Sequence, residues 1–183
     1  DKTDGGQVDG VRAIREPGST LKPLLYGLSF DKGLITTKTI LKDIPINING
    51  FSPENFDKLF HGYVTAEFAL SNSLNIPAVS LLNKFGKDDF ANTLSGLHFK
   101  KIKQNAAKLG LSLILGGCGV SLEELTLMYA AFANNGLYRN ARYTSDVADS
   151  VTQKVISPSA NFMLTEILSN LARPDLPANW EQT

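Results

Sequence analysis

Leu21, Leu24, Leu25 and Leu28 recur at the spacing of one helix face, and predict a helix that starts near Ser19, just after Pro17-Gly18, and ends at Gly33. From Leu34 to Asn55 no such period survives. Pro45, Gly50 and Pro53 punctuate a stretch that reads as irregular. Thr65 is a good N-cap for a second helix running through Phe68, Ala69 and Asn72. Pro77 suits the first turn of a third, with Val79 and Leu82 facing inward and Gly86 closing it. A short amphipathic helix over Asp88 to Leu94 stops at Gly96. Ser121-Leu122-Glu123-Glu124 has the form of a capping box, in which the serine caps the amide of residue 124 and that glutamate reaches back. It opens a helix to Asn135 with Leu125, Met128, Tyr129 and Phe132 as its apolar stripe and Gly136 at the stop. Ser157 and Pro158 start a last helix carrying Phe162, Ile167 and Leu168, and Pro174 and Pro177 break the chain afterwards. Tyr138 to Thr144 and Val151 to Ile156 are the strand candidates. The chain reads as mainly α, joined by long loops of the kind that often form functional surfaces.

Composition narrows the function classes. The 183 residues suit one domain or part of a larger one, and 43% hydrophobic with 20% charged residues supports a packed core. Lys+Arg and Asp+Glu are both 18, a formal net charge of +0, so the basic excess of a nucleic-acid binder is missing. Cys118 is the single cysteine, which excludes an internal disulfide. No apolar run approaches the ~18 residues needed to span a bilayer, and the polar start Asp1 to Gly10 reads as neither signal peptide nor anchor. His61 and His98 have no ligand-spaced partners, so neither a metal nor a cofactor is expected.

Ser19-Thr20-Leu21-Lys22 sets a serine and a lysine on one face of the first helix. A serine hydroxyl is a poor nucleophile near neutral pH, and a lysine whose pKa is lowered by burial can take its proton. The helix start adds unpaired amides and the positive end of the dipole, which favour a developing oxyanion. The spacing alone is not specific, because Ser29-Phe30-Asp31-Lys32 repeats it at the helix end, where Lys32 complements the dipole.

Context separates the two. The run Arg15-Glu16-Pro17-Gly18-Ser19-Thr20-Leu21-Lys22-Pro23 closely resembles the nucleophile motif of the penicillin-binding proteins and serine β-lactamases, whose signatures are S-x-x-K, S-x-N and K-T-G. Of two S-x-N matches, Ser159-Ala160-Asn161 falls in the first turn of the last helix, where capping or surface roles are expected. Ser73-Leu74-Asn75, inside the run from Ala69 to Val79, is similar to the second motif of transpeptidases. Pro53-Glu54-Asn55-Phe56-Asp57 with Gly62 and Val64, then Leu113 to Gly117, then Tyr129 to Gly136, resemble further segments of the same family. The resemblance covers about Gly6 to Pro174, and its wording is nearest to class A penicillin-binding proteins of the 1C type.

That resemblance implies a fold: the helical half of the penicillin-binding and serine β-lactamase-like α/β transpeptidase fold, with the central sheet largely absent. Residues 1–183 are then a partial transpeptidase domain, cut before the K-T-G strand, since no Lys-Thr-Gly occurs in the sequence. A glycosyltransferase domain, expected of class A members, is not in the sequence. It also implies chemistry. Ser19 would attack the penultimate D-alanine carbonyl of a peptidoglycan stem peptide, with Lys22 as base. Ser73 would relay a proton to the leaving group, Asn75 would orient the acyl donor and Lys22, and Thr20 and Asn75 would contact substrate. Stem peptides and β-lactam antibiotics are the implied partners, and the implied location is the periplasmic face of the inner membrane, with any membrane contact made by parts of the parent protein. Exposed apolar faces leave pairing between copies of the chain open. Without the third motif the chain alone is expected to have little activity. The alternatives are a D,D-carboxypeptidase or β-lactamase-like hydrolase, and a non-catalytic helical scaffold. Against the β-lactamase stands the lack of an E-x-x-L-N run, with Glu123 and Glu124 better explained as first-turn residues of a helix.

Overall fold

The computed structural model describes residues 8–144 and 152–170. A 3-10 turn over Gly18–Leu21 runs directly into α1 (Lys22–Asp31). Every residue of α1 from Lys22 to Phe30 is buried, so this helix is the axis of the core rather than an amphipathic surface element. Around it lie α2 (Ala66–Ser71), α3 (Asn75–Phe85) and α7 (Pro158–Ser169), each packed against α1. The α7 contact is close because Gly27 has no side chain: a Cβ there would meet Leu164 Cδ2 at 3.1 Å and Ile156 Cδ1 at 3.2 Å. On the far side of α3, α4 (Lys87–Gly96) stacks against α5 (Lys100–Asn105). The helix α6 (Leu122–Ala133) carries the expected capping box, with Glu124 N–H donating to Ser121 Oγ at 3.2 Å and Ser121 N–H to Glu124 Oε2 at 2.8 Å. Its buried carboxylate also accepts the Lys100 amide at 2.8 Å, tying α6 to the start of α5.

Strands are few among the described residues. β1 (Ile40–Asp43) pairs antiparallel with β2 (Gly62–Thr65), Leu41 opposite Val64. β3 (Leu137–Tyr138) pairs with β4 (Gln153–Lys154). The stretch from Leu34 to Asn55, expected to be irregular, therefore contains β1. The strand has no legible alternation because its one fully buried residue is a carboxylate, Asp43, while Ile40 is exposed. The two strand candidates after Gly136 shrink to two residues each, and part of that region and the prolines at 174 and 177 lie outside the described residues. Helix α5 was not expected: Lys100 to Asn105 offers one apolar side chain, Ile102, and no period can be read from one residue.

Candidate active site

Five sequence-predicted positions come from two places in the fold. Ser19 and Thr20 sit in the 3-10 turn and Lys22 begins α1, its backbone N–H donating to the Ser19 carbonyl. Ser73 and Asn75 come from the turn between α2 and α3. Ser73 and Asn75 converge at the Lys22 amine. Nζ donates to the Ser73 carbonyl at 2.6 Å, to Asn75 Oδ1 at 2.7 Å and to Ser73 Oγ at 3.2 Å. Lys22 is 1% exposed, and no carboxylate among the described residues lies within ion-pairing reach of it. Burial without a counter-charge disfavours the ammonium and brings the pKa down to about 7.

The local geometry explains how Ser73 reaches it. Helix α2 ends with Ser73 N–H on the Leu70 carbonyl at 2.9 Å and Leu74 N–H on the Ala69 carbonyl at 2.9 Å. This is a Schellman C-cap, whose left-handed position normally takes glycine. Here Ser73 occupies it, at φ +52°. A non-glycine residue in that region costs about 1–2 kcal/mol, and such strain clusters at functional sites. The bend turns both the carbonyl and the hydroxyl of Ser73 onto the amine.

The turn carrying Ser19 is shaped from the other side by another 3-10 turn, Leu111–Leu115, and the glycines after it. Gly116 (φ +99°) lies so close to Gly18 that a Cβ would stand 2.6 Å from the Gly18 nitrogen. Arg15 and Val120 exchange backbone hydrogen bonds at 2.8 and 2.9 Å, which clamps the approach to Ser19. Ser19 itself is half-buried. Thr20 has its hydroxyl on the Pro17 carbonyl at 2.9 Å and lines an apolar groove with Leu122, Leu125 and Tyr129.

The look-alike motifs have other occupations. Ser29 Oγ donates to the Leu25 carbonyl at 2.7 Å inside the core, and Lys32 pairs with Asp89 at 3.3 Å while lying over the Phe85 ring. Asn161 is buried and donates to the Phe132 carbonyl at 2.9 Å, so it ties α7 to α6. His61 meets Asp57 at 3.0 Å, and the described residues hold no cluster of metal-ligating side chains. Burial, with the charges of Glu16 and Glu124, pushes the Cys118 thiol up to about 11, far from a reactive thiolate. Residue-level reasoning missed Asn55, which accepts the Asn75 amide at 2.8 Å, and its partner Asp43. The signal was present in the run Pro53 to Asp57, noted for its resemblance but given no role.

Comparison with known proteins agrees with this geometry. Residues 8–176 match the family model for the penicillin binding protein transpeptidase domain. Penicillin-binding protein 1C of Escherichia coli is 39% identical over 170 residues, 92% of this chain and 22% of the relative. Penicillin-binding protein 1F of Bacillus subtilis is 34% identical over 145 residues, 76% of this chain and 19% of the relative. The chain thus spans about a fifth of the length of these relatives. Among solved structures, the apo TP domain of penicillin-binding protein 3 from Burkholderia pseudomallei superposes with a TM-score of 0.78 at 19% identity, over 92% of this chain and 56% of that one, a likeness of fold. Sequence, fold and the arrangement around Lys22 lead to one assignment: this chain belongs to the penicillin-binding protein transpeptidase family.

Proposed function

We propose that the chain is the nucleophile-bearing part of a serine D,D-transpeptidase that cross-links peptidoglycan stem peptides and is acylated by β-lactams. The observation that carries this reading is the buried Lys22 amine held by Ser73 and Asn75 one helical turn from Ser19. With a pKa of about 7, much of it is neutral at physiological pH. A neutral amine has two N–H bonds, and the two short contacts to the Ser73 carbonyl and Asn75 Oδ1 use both. Its lone pair is then left to accept a proton from a hydroxyl.

The reaction follows from that inventory. Ser19 Oγ gives its proton to Lys22 Nζ as it attacks the penultimate D-alanine carbonyl. The tetrahedral intermediate collapses with cleavage of the C–N bond. The proton passes from the Lys22 ammonium through the Ser73 hydroxyl to the departing D-alanine amine. An amine of a neighbouring stem peptide then attacks the Ser19 ester, loses a proton to the site and restores the serine. Asn75 orients the acyl donor as well as Lys22, and Thr20 borders the substrate path. No cofactor or metal enters. In this reading the parent protein works on the periplasmic side of the inner membrane; no described helix is long and apolar enough to cross a membrane.

The 183 residues carry no Lys-Thr-Gly run. In this reading that strand supplies the substrate-carboxylate clamp and an oxyanion donor, and one such donor is worth about 10²–10³ in rate. The chain by itself therefore acylates slowly. Intact-mass analysis after long incubation with excess benzylpenicillin tests this: a slowly formed adduct on Ser19, lost in Ser19→Ala, is expected. Labelling as fast as that of a longer form containing the third motif would overturn the reduced-activity claim. No adduct at all would favour the inert helical scaffold, and rapid nitrocefin turnover would favour a hydrolase.

A further inference from the structure

Asp43 is 0% exposed, yet no cation among the described residues pairs with it. A buried carboxylate held only by neutral donors is expensive, and a packed apolar pair of the same volume often serves stability as well. Its donors point in one direction. Asn55 Nδ2 donates to Oδ1 and Oδ2 at 2.8 and 2.9 Å, and the His61 amide donates to Oδ2 at 2.8 Å. Thus held, Asn55 presents Oδ1 to the start of α3, where it accepts Asn75 N–H at 2.8 Å and Ile76 N–H at 3.4 Å. That helix has Leu74 at its N-cap and no side-chain cap of its own, so Asn55 caps it from a separate loop. Asn75, fixed at its amide, is held again at its side chain, with Nδ2 on the Glu54 carbonyl at 2.7 Å. This leaves Oδ1 aimed at Lys22 Nζ, 2.7 Å away.

We propose that Asp43 and Asn55 are positioning residues of the active site: a buried carboxylate–amide brace that fixes Asn75 and, through it, the amine of Lys22. The inference rests on the site reading given above and adds to it two side chains that touch neither Ser19 nor Lys22. Around the amine, the α2–α3 turn contributes Ser73 and Asn75, and no ion pair of Lys22 is found among the described residues. The nearby titratable group on the next turn of α1 is Tyr26, whose hydroxyl is raised first by burial and then by the Asp43 charge. The amine's titration is set by its burial, which the contacts to Ser73 and Asn75 maintain.

The test is NMR titration of the lysine side chains of the 183-residue chain, with Lys22 assigned by its loss in Lys22→Met. In the unsubstituted chain Lys22 is expected to titrate near 7. Asn55→Ala should raise the midpoint by about one unit or more, a roughly tenfold gain in proton affinity, as Asn75 loosens and water reaches the amine. Asn55→Asp, which faces one carboxylate with another, should do the same. The exchange Asp43→Asn with Asn55→Asp should bring the midpoint back. In it the amide at 43 can donate to the carboxylate at 55, which still accepts both α3 amides. Ile102→Ala, a core truncation on α5, controls for general loosening and should leave the midpoint in place at a comparable loss of Tm. Should Asn55→Ala not fold, Asn55→Ser takes its position in the series. A midpoint near 7 that none of the brace substitutions moves, or one that Ile102→Ala moves equally, overturns the brace and leaves the site reading standing. An ordinary lysine midpoint in the unsubstituted chain overturns the site reading itself.

Discussion

Replacing Lys22 by methionine should change how the stability of this protein depends on pH, in a direction and by an amount set by the burial of one amine. In the folded chain the amine titrates at about 7 instead of 10.5. The unfolded chain keeps its proton up to the ordinary value, so between these limits the unfolded state binds more protons and stability must rise with pH. Below about pH 6 both states are protonated and the folded protein carries the full cost of the buried ammonium. At ~1.36 kcal/mol per pH unit, integration over the two titrations gives a gain of roughly 2 kcal/mol between pH 7 and pH 9. Methionine has similar length and no proton to release. Its substitution leaves the Ser73 carbonyl and Asn75 Oδ1 without a donor, a penalty of about 1–3 kcal/mol for each that varies little with pH. The informative quantity is the difference between the two urea-unfolding free energies as a function of pH. Contributions from Cys118 and the buried tyrosines are common to both chains and cancel. A difference that grows by about 2 kcal/mol in favour of the lysine form over that window is expected. Parallel curves would refute the lowered pKa and with it the case for Lys22 as a base.

Gly116→Ala should destabilise by roughly 2–4 kcal/mol in urea unfolding, because its Cβ meets the Gly18 backbone at 2.6 Å and its φ of +99° disfavours any side chain. Unchanged stability would mean that the 116–117 loop does not support the turn at Gly18 and Ser19. Ser73→Gly should stabilise by about 1 kcal/mol, since glycine suits the left-handed cap at φ +52°, while removing the hydroxyl beside Nζ. A loss of stability on this change would show that the serine is held there without strain.

The local parts of this fold could be read from sequence because their causes are local. Thr65, Ser121 and Ser157 cap α2, α6 and α7, each with its side chain accepting an amide of the first helical turn. The Ser19–Lys22 segment and the 73–75 turn were recognisable as motifs, and the structure brings Lys22, Ser73 and Asn75 together. The missed features depend on distant partners. β1 is defined by pairing with β2 across some twenty residues, and its buried side is a carboxylate, so no hydrophobic alternation announces it. Asn55 looked like one of several polar loop residues, because its role is to cap a helix that begins twenty positions later. The all-round burial of α1 was likewise hidden, since its leucines mark one apolar face and the polar side chains of Lys22 and Ser29 are buried on partners at Ser73 and Leu25 that the sequence does not pair with them.

The central claim is that Ser19 is a nucleophile served by the amine of Lys22. Its most direct test is the pH dependence of Ser19 acylation by excess benzylpenicillin, followed by intact mass. The account predicts a rate that climbs through a midpoint near 7 and then levels off, with adduct lost in Ser19→Ala and the inflection lost in Lys22→Met. A rate that rises in simple proportion to hydroxide, or one that Lys22→Met leaves untouched, would contradict it.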